Sequence, residues 1–257
     1  MRGSLSVLRL MICFLAGIAL LGPGSVLAEQ ELTVSAAASL TNAFPEIGKK
    51  IESANPGTKV IFNFAASGPL LQQIEQGAPV DVFASADQKT MDQAKEKNLV
   101  LNESRKNFVS NKLVLIVPAA SRLAVSGLDA LKGKDISKIA LGKPETVPVG
   151  RYTKEVLTNE GVWDVLSPKF IPGDSVRQVL DYVSRGEVDA GFVYSTDAAL
   201  VKDKVRIVAT MEKHQPILYP IAIVKTTSKK ELGQRFIDMA LSPEGQAILS
   251  SYGFGKP

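Results

Sequence analysis

Short runs rich in β-branched and aromatic residues alternate with amphipathic segments along most of the chain, and this alternation limits the folds open to it. Strands are predicted at residues 32–36, 60–64, 80–84, 113–117, 139–141, 190–194, 205–209 and 217–224. Apolar residues recur at helical spacing between strands, as at 40–51 and 176–183. Strands that alternate with helices indicate an α/β fold with mostly parallel sheets.

Composition narrows the function classes. The 257 residues include one Cys and one His, and 30 Lys and Arg residues nearly balance 26 Asp and Glu residues. One Cys and one His cannot assemble a Cys/His zinc site or an intrachain disulfide framework. The balanced charge argues against a nucleic-acid partner bound through bulk basicity. The length suits one globular unit or two lobes.

The N-terminal segment 1–28 has the pattern of a signal peptide. Arg2 and Arg9 precede an apolar run at 10–21, and a small-residue cleavage site ends at Ala28. The run is shorter than the roughly 20 residues that span a bilayer. Cys13 lies inside this run instead of at its end, which favours a membrane-embedded residue over a lipid acceptor. We therefore expect export to the periplasm and a mature chain that starts at residue 29.

The mature chain has no flexible linker, low-complexity block or tandem repeat, so two lobes would be joined by ordered crossings. The apolar strands at 111–118 and 217–225 are the candidate crossings, because each contains or abuts a proline. They predict one lobe from residues 29–111 plus 219–257, and a second lobe from residues 112–218.

Sequence motifs of common exported enzymes are absent. No Gly-x-Ser-x-Gly elbow, Ser-x-x-Lys pair, phosphate-binding loop or dinucleotide fingerprint occurs. His214 stands in a polar turn, which favours a surface role over that of a general base. Carboxylates at Asp81, Asp87 and within 181–189 are explained by solvated helix caps and ion pairs. We therefore expect a protein without catalytic residues or a cofactor.

Small residues and a serine follow each of the first two predicted strands. Ser39 lies after strand 32–36, and Ser67 follows strand 60–64 with Pro69 in the next helical turn, so Ser67 is the predicted N-cap. Ligands of open α/β sheets bind at the carboxyl ends of strands. Two helix N-termini that converge there with serine hydroxyls can hold an anion without a formal cation. The alternative is that each serine only caps its own helix.

The middle section contains three further positions of this kind. A proline-fixed loop opens a helix whose first free amides are expected near Val149 and Gly150. Another helix opens after the strand-like segment 169–171, with Asp174 as the expected N-cap. Tyr194 ends an apolar strand, so its hydroxyl can reach the same cleft as a neutral donor, or its ring can serve only as a core aromatic.

Six segments, in this order, resemble the periplasmic molybdate-binding proteins of molybdate ABC importers over essentially the whole mature chain. They are AAASLTNA at 36–43, FAAS at 64–67, GAPVDVFASAD at 77–87, PETVPVGRY at 144–152, GFVYSTDA at 191–198 and YGF at 252–254. Two departures stand out. Val149 replaces a common alanine, and Gly68 and Pro69 stand where polar residues are frequent.

This resemblance implies a two-lobed periplasmic-binding-protein clamshell of type II, in which the chain crosses twice between lobes. It implies that molybdate or tungstate binds through neutral donors, with no direct metal ligand. It also implies a monomer that delivers the ion to the membrane permease of an ABC transporter. The donors carried over are the hydroxyls and amides of Ser39 and Ser67, the amides of Val149 and Val176, and the hydroxyl of Tyr194.

Three alternatives remain open from the sequence. One is a receptor for sulfate or another tetrahedral oxyanion. Another is an exported serine hydrolase with Ser39 or Ser67 as nucleophile, for which His214 would have to supply the base. The third is a ligand-sensing domain of a regulator, although neither a helix-turn-helix nor a basic extension accompanies it.

Overall fold

A computed structural model describes residues 30–257, so the predicted signal peptide at 1–28 lies outside the described residues. Ten strands form the sheets. They are β1 (Gln30–Ala37), β2 (Thr58–Ala65), β3 (Val82–Ala84), β4 (Lys106–Ser110), β5 (Leu113–Pro118), β6 (Ile139–Gly142), β7 (Phe170–Gly173), β8 (Ala190–Tyr194), β9 (Val205–Thr210) and β10 (Leu218–Ile223).

The helices flank these strands. They are α1 (Phe44–Ala54), α2 (Ser67–Glu75), α3 (Gln88–Glu96), α4 (Pro148–Asn159), α5 (Trp163–Leu166), α6 (Val176–Ser184), α7 (Ser195–Leu200), α8 (Lys230–Leu241) and α9 (Pro243–Ser251). Short 3-10 turns complete the connections, including one at Ala38–Leu40 directly after β1. Among residues 30–257, no helix combines the length and the apolar character that crossing a bilayer requires.

Two five-stranded sheets repeat one topology. The first has the order β2-β1-β3-β10-β4, and the second has the order β7-β6-β8-β5-β9. In each sheet three strands are parallel neighbours, and one reversed strand, β10 or β5, pairs antiparallel with both of its neighbours. Four of the five strands in each sheet therefore share one direction, and the predicted α/β fold with mostly parallel sheets is confirmed.

The chain passes between the sheets twice, at residues 111–112 between β4 and β5 and at residues 211–217 between β9 and β10. Each reversed strand directly follows one of these crossings. The strands of the first sheet come from 30–110 and 218–223, and those of the second come from 113–210. The lobe boundaries that we predicted, 29–111 plus 219–257 and 112–218, stay predictions at the level of single residues.

All eight predicted strands are present. Of the other two, β7 was anticipated only as the strand-like segment 169–171, and β4 was missed. Three of its five residues are polar, and only Phe108 and Val109 are buried. It forms an edge of the first sheet, where β10 is its neighbouring strand and Ser110 makes one isolated bridge to Gly255. An edge strand buries less of its surface than a central one, so its apolar pattern is short.

An aromatic cluster joins distant parts of the chain in the core of the first lobe. The ring centroid of Phe44 in α1 lies 5.7 Å from that of Phe108 in β4 and 5.4 Å from that of Phe236 in α8. All three rings are fully buried. The C-terminal helix α8 is therefore an integral part of the lobe that also contains the first strands.

Candidate functional site

A small cavity lies where strand ends of both sheets meet. It is lined by Ala37, Ala38, Ser39, Ala66, Ser67, Ala86, Val147, Pro148, Val149, Val176 and Tyr194, and its empty volume is about 210 Å³. Most of the lining side chains are small, and the cavity suits a small ligand. All five residues predicted for the site, including those of the middle section, lie in its wall.

Ser39 lies in the 3-10 turn that follows β1, and it is buried. Its Oγ is 3.0 Å from the hydroxyl oxygen of Tyr219 in β10. Asn111, in the first crossing, donates through Nδ2 to the same Tyr219 oxygen at 3.2 Å. A chain of side-chain hydrogen bonds thus runs from the crossing to a serine in the cavity wall.

Ser67 is the first residue of α2, with Ala66 as the N-cap, so the predicted capping role of Ser67 is wrong. Its Oγ instead accepts a hydrogen bond from the amide of Ala86, at 3.0 Å. Pro69 lies two residues further on in the first helical turn, and the helix starts one residue earlier than predicted, so the Ser67 hydroxyl lies against the segment that follows β3. Since one lone pair is occupied by the Ala86 amide, the hydroxyl hydrogen is free to be donated into the cavity.

Two backbone amides reach the cavity from the second lobe. Val149 is the second residue of α4 and Val176 is the first residue of α6, where helical amides lack a carbonyl partner one turn earlier. Neither amide has an acceptor within residues 30–257. Gly150, the other predicted free amide, donates to Val147 O at 3.0 Å. Val149 therefore offers the free amide at this helix start.

The predicted cap of α6 is also wrong. Ser175 is the N-cap, and its Oγ accepts from the Gln178 amide at 3.2 Å. Asp174 instead forms an ion pair with Lys143. The shift by one residue leaves the amide of Val176 in the first helical position.

Tyr194 ends β8, and its buried hydroxyl group belongs to the cavity wall. The side chain is 1% exposed, and its hydroxyl has no hydrogen-bond partner within the described chain. Burial raises the pKa of this hydroxyl well above its usual value, so it stays a neutral donor. A buried hydroxyl without a partner costs free energy, which a ligand acceptor would offset.

Two arginine bridges cross from the second lobe to the first. Arg151 in α4 donates from Nε to Asp87 Oδ2 at 2.6 Å and from Nη2 to Thr90 Oγ1 at 2.7 Å. Arg177 in α6 donates to Asn42 Oδ1 at 2.8 Å and to the carbonyl oxygen of Ser39 at 3.3 Å. Sequence analysis missed both bridges, although the first arginine belongs to a segment that carries the resemblance.

Each of the two arginines pairs with an aspartate, so neither presents an unpaired positive charge to the cavity. Arg151 pairs with the buried Asp87, and Arg177 pairs at 2.5 Å with Asp197, whose side chain is fully buried. Burial raises the pKa of Asp197 to about 6 despite the opposing effect of Arg177. The cavity wall itself contains no charged side chain. It therefore offers hydrogen-bond donors without formal charge.

Gly68 gives a close contact between the lobes. Its amide donates to the carbonyl oxygen of Thr146 at 3.1 Å, and a Cβ at position 68 would overlap that oxygen and lie 3.0 Å from Thr146 Cα. The lobes are thus closed on each other at this point. The contact supplies a physical reason for glycine at this position.

The carboxylates and the histidine that we weighed as catalytic groups have structural partners. Asp87 caps α3 by accepting from the Thr90 amide at 3.1 Å, and Asp81 accepts from the Thr33 amide at 2.7 Å. Both are buried, not solvated as expected. The ring nitrogens of His214 lie near the carbonyl oxygens of Gln215 and Met211. Within residues 30–257 no group of three His, Cys, Asp or Glu residues is arranged to hold a metal ion.

Comparison with known proteins gives one consistent result. The family model for bacterial extracellular solute-binding proteins matches residues 32–255. The molybdate-binding protein ModA of Haemophilus influenzae is 39% identical over 90% of this chain and 92% of its own length, and ModA of Escherichia coli is 39% identical over 90% and 91%. The periplasmic molybdate-binding protein of Azotobacter vinelandii superposes with a TM-score of 0.77 at 26% identity, over 88% of this chain and 99% of that one. The chain therefore belongs to the bacterial extracellular solute-binding proteins and, within them, to the ModA family.

Proposed function

We propose that this protein captures molybdate outside the cytoplasm and delivers it to an ABC importer. The buried hydroxyl of Tyr194, which has no partner inside a small cavity lined by neutral donors, is the observation that carries the proposal. The ligand would accept hydrogen bonds from the hydroxyls and amides of Ser39 and Ser67, from the amides of Val149 and Val176, and from Tyr194. The protein is not an enzyme in this proposal, and the ion is bound unchanged and without a cofactor.

The donor set determines which anions fit. A fully deprotonated tetrahedral dianion can accept from every donor, whereas the proton of hydrogen phosphate would meet no acceptor and leave buried polar groups unpaired. Sulfate carries the same charge as molybdate, so it must be rejected by size in a closed, rigid cavity. Tungstate has the charge and nearly the size of molybdate, and we include it among the ligands.

Closure of the two lobes links binding to delivery. The cavity wall draws on both sheets, and the arginine bridges and Gly68 hold the lobes together around it. A ligand that bridges both lobes shifts the equilibrium towards this closed state. The closed monomer is then the form that the membrane permease recognises, after export to the periplasm directed by residues 1–28.

The alternative of an exported serine hydrolase lacks a base in this geometry. Neither Ser39 nor Ser67 contacts His214, and their hydroxyls are engaged with Tyr219 and the Ala86 amide. A His214→Ala variant is therefore expected to bind molybdate as the wild type does. Loss of a hydrolytic activity in that variant would instead support the enzyme.

A thermal-shift series tests the proposal. The chain from residue 29 is desalted and then given molybdate, tungstate, sulfate or phosphate at matched ionic strength. At 1,000 times the dissociation constant, ligand binding stabilises the native state by about 4 kcal/mol, a rise in Tm of roughly 8–16 °C for a chain of this size. We expect this rise with molybdate and tungstate only. A rise with sulfate alone would support the sulfate receptor, and no rise with any oxyanion would contradict the proposed site.

A further inference from the structure

Two side chains, one in the first crossing and one directly after the second, are linked by hydrogen bonds to the proposed ligand donor Ser39. Asn111 lies in the first crossing, and Tyr219 is the second residue of β10, directly after the return crossing. The Tyr219 hydroxyl is fully buried between them, 3.2 Å from Asn111 Nδ2 and 3.0 Å from Ser39 Oγ. A hydrogen bond between two hydroxyls can run in either direction, and the direction decides what Ser39 presents to the cavity.

The other hydrogen bonds of Asn111 determine whether it donates to Tyr219 or accepts from it. Its Oδ1 accepts from the Lys112 amide at 2.9 Å and from Ser195 Oγ at 3.2 Å. The backbone amide can only donate, so the carbonyl side of the Asn111 amide group must face it. The Nδ2 group then points to Thr196 Oγ1, at 2.9 Å, and to the hydroxyl of Tyr219.

Because Tyr219 accepts from Asn111, it donates its own hydrogen to Ser39. The Tyr219 hydroxyl keeps its proton, because burial raises its pKa well above the usual value. It accepts from Asn111, and its own hydrogen is then donated to Ser39 Oγ, the other polar atom in contact with it. Since Ser39 accepts on that side, its hydroxyl hydrogen is left to point into the cavity.

We propose that Asn111 and Tyr219 are positioning residues, which orient the Ser39 hydroxyl as a donor to the ligand and so help the site to reject protonated oxyanions. The inference rests on the proposed function. With the opposite direction, Ser39 would donate to Tyr219 and present only lone pairs to the cavity. Such a serine would repel a dianion and could accept the proton of hydrogen phosphate.

The second serine provides an internal comparison. Ser67 Oγ accepts from the backbone amide of Ala86, a donor that no side-chain substitution removes. Both serines are thus oriented in the same sense, one by the backbone and one by the side chains of the crossings. The orientation of Ser39 can therefore be changed by mutation, whereas that of Ser67 cannot.

A double-mutant cycle tests the proposal. Molybdate affinity is measured by calorimetry for the wild type, Tyr219→Phe, Ser39→Ala and the double variant, with a melting curve for each. Loss of one oriented hydrogen bond predicts a roughly three- to tenfold weaker affinity for Tyr219→Phe. If Tyr219 acts through Ser39, this loss disappears in the Ser39→Ala background, because interaction energies report coupling between residues in contact.

Tyr252→Phe is the matched control, because its hydroxyl bonds to Glu46 and not to any residue of the cavity wall. We expect it to leave the affinity unchanged. If the fold losses of affinity of the two single variants multiply in the double variant, the two residues act independently and the inference is overturned. An unchanged affinity in Tyr219→Phe would also overturn it. Both outcomes leave the proposed function intact. Absence of molybdate binding by the wild type would overturn the proposed function itself.

Asn111→Asp tests the same chain if Tyr219→Phe does not fold. The substitution replaces a donor by an acceptor of similar shape, so Tyr219 would donate to residue 111 and Ser39 would have to donate to Tyr219. We expect a greater loss of molybdate affinity than in Tyr219→Phe, and a smaller preference for molybdate over hydrogen phosphate. The part of the affinity loss that comes from the added negative charge persists in the Ser39→Ala background. The part that comes from the changed orientation of the Ser39 hydroxyl disappears there. If the whole loss persists there, Asn111 does not act through Ser39.

Discussion

The two lobes share one strand arrangement but bring different chemistry to the cavity. In the order of their sheets, β1 corresponds to β6 and β2 corresponds to β7. The strands of the first lobe lead into Ser39 and Ser67, which present side-chain hydroxyls. The equivalent strands of the second lobe lead into helices that present the backbone amides of Val149 and Val176.

In the proposed site, the hydroxyl donors of the first lobe depend on residue identity, whereas the two valine amides of the second lobe depend on backbone geometry. An amide is present whatever the side chain, except at proline. Substitution of a serine should therefore change ligand binding, whereas most substitutions of either valine should change only packing. Tyr194 is the exception in the second lobe, because it contributes a hydroxyl.

The largest effect is expected from Val176→Pro, which removes the amide hydrogen without removing the helix. Proline is favoured at the first helical position, and Ser175 already has the extended backbone that suits a residue before proline. Loss of a hydrogen bond to a charged ligand, with a ring carbon in its place, should weaken molybdate binding by at least about 100-fold. Calorimetry measures the affinity, and circular dichroism checks the fold.

Val176→Ala is the matched control for this substitution. It keeps the amide, so its affinity should stay within about threefold of the wild type, while the loss of buried methyl groups lowers stability by about 1–2 kcal/mol. Equal losses of affinity in the two variants would show that the side chain, and not the amide, matters at this position.

Ser67→Ala should have the next largest effect, since it removes a donor of the first lobe that is specified by its side chain. Binding is expected to weaken by roughly 10- to 100-fold, and the Ala86 amide loses its partner, which lowers Tm. Ser104→Ala is the control, because the buried Ser104 hydroxyl also accepts from a backbone amide, that of Ile223 at 2.9 Å, but does not line the cavity. It should lower Tm and leave the molybdate affinity unchanged.

Gly68→Ala disturbs the closed arrangement of the two lobes without removing any proposed hydrogen-bond donor. A methyl group there collides with the Thr146 backbone of the other lobe, so the closed state becomes less populated. Apparent affinity falls in proportion to that population, and we expect a loss of roughly tenfold. Gly127→Ala is the control, because its added methyl group meets open space. Small-angle scattering with saturating molybdate should show a more open Gly68→Ala variant, and identical profiles would contradict this account.

The smallest expected effect is a pH dependence of stability that comes from the buried Asp197, the partner of Arg177. Its pKa is raised from 3.8 to about 6, so the folded state binds a proton more readily than the unfolded state. The resulting stabilisation is complete below pH 3.8 and is lost as pH rises through 6. Wild-type Tm minus Asp197→Asn Tm should therefore increase by roughly 3 °C between pH 8 and pH 5. An equal difference at both pH values would contradict the raised pKa.

Much of the fold could be predicted because its signals are local. Buried strands such as β8 are continuous apolar runs, and the start of α4 is marked by Pro148. Local signals also placed Ser39 and Ser67 at strand ends. They misplaced the caps of α2 and α6 by one residue. At α6 the neighbours Asp174 and Ser175 compete for the capping position, and at α2 the Ser67 hydroxyl is engaged by the Ala86 amide.

The contacts that surround the site could not be predicted in this way. Ser39 and Tyr219 are 180 residues apart in sequence, and Arg177 and Asn42 are 135 apart. Such pairs leave no periodicity or spacing in the chain, because they depend on how two lobes close. Gly68 shows the same limit, since the sequence marked it as a departure and only the approach of Thr146 explains it.

The position of β10 between β3 and β4 also has a consequence for the order in which the two lobes can be completed. The second sheet needs only residues 113–210, so it can form before the C-terminal part of the chain is available. The first sheet lacks a central strand until residues 218–223 are available, and its core lacks Phe236 until α8 has been made. The lobe whose strands begin the chain is thus completed last, once nearly the whole chain is available for folding.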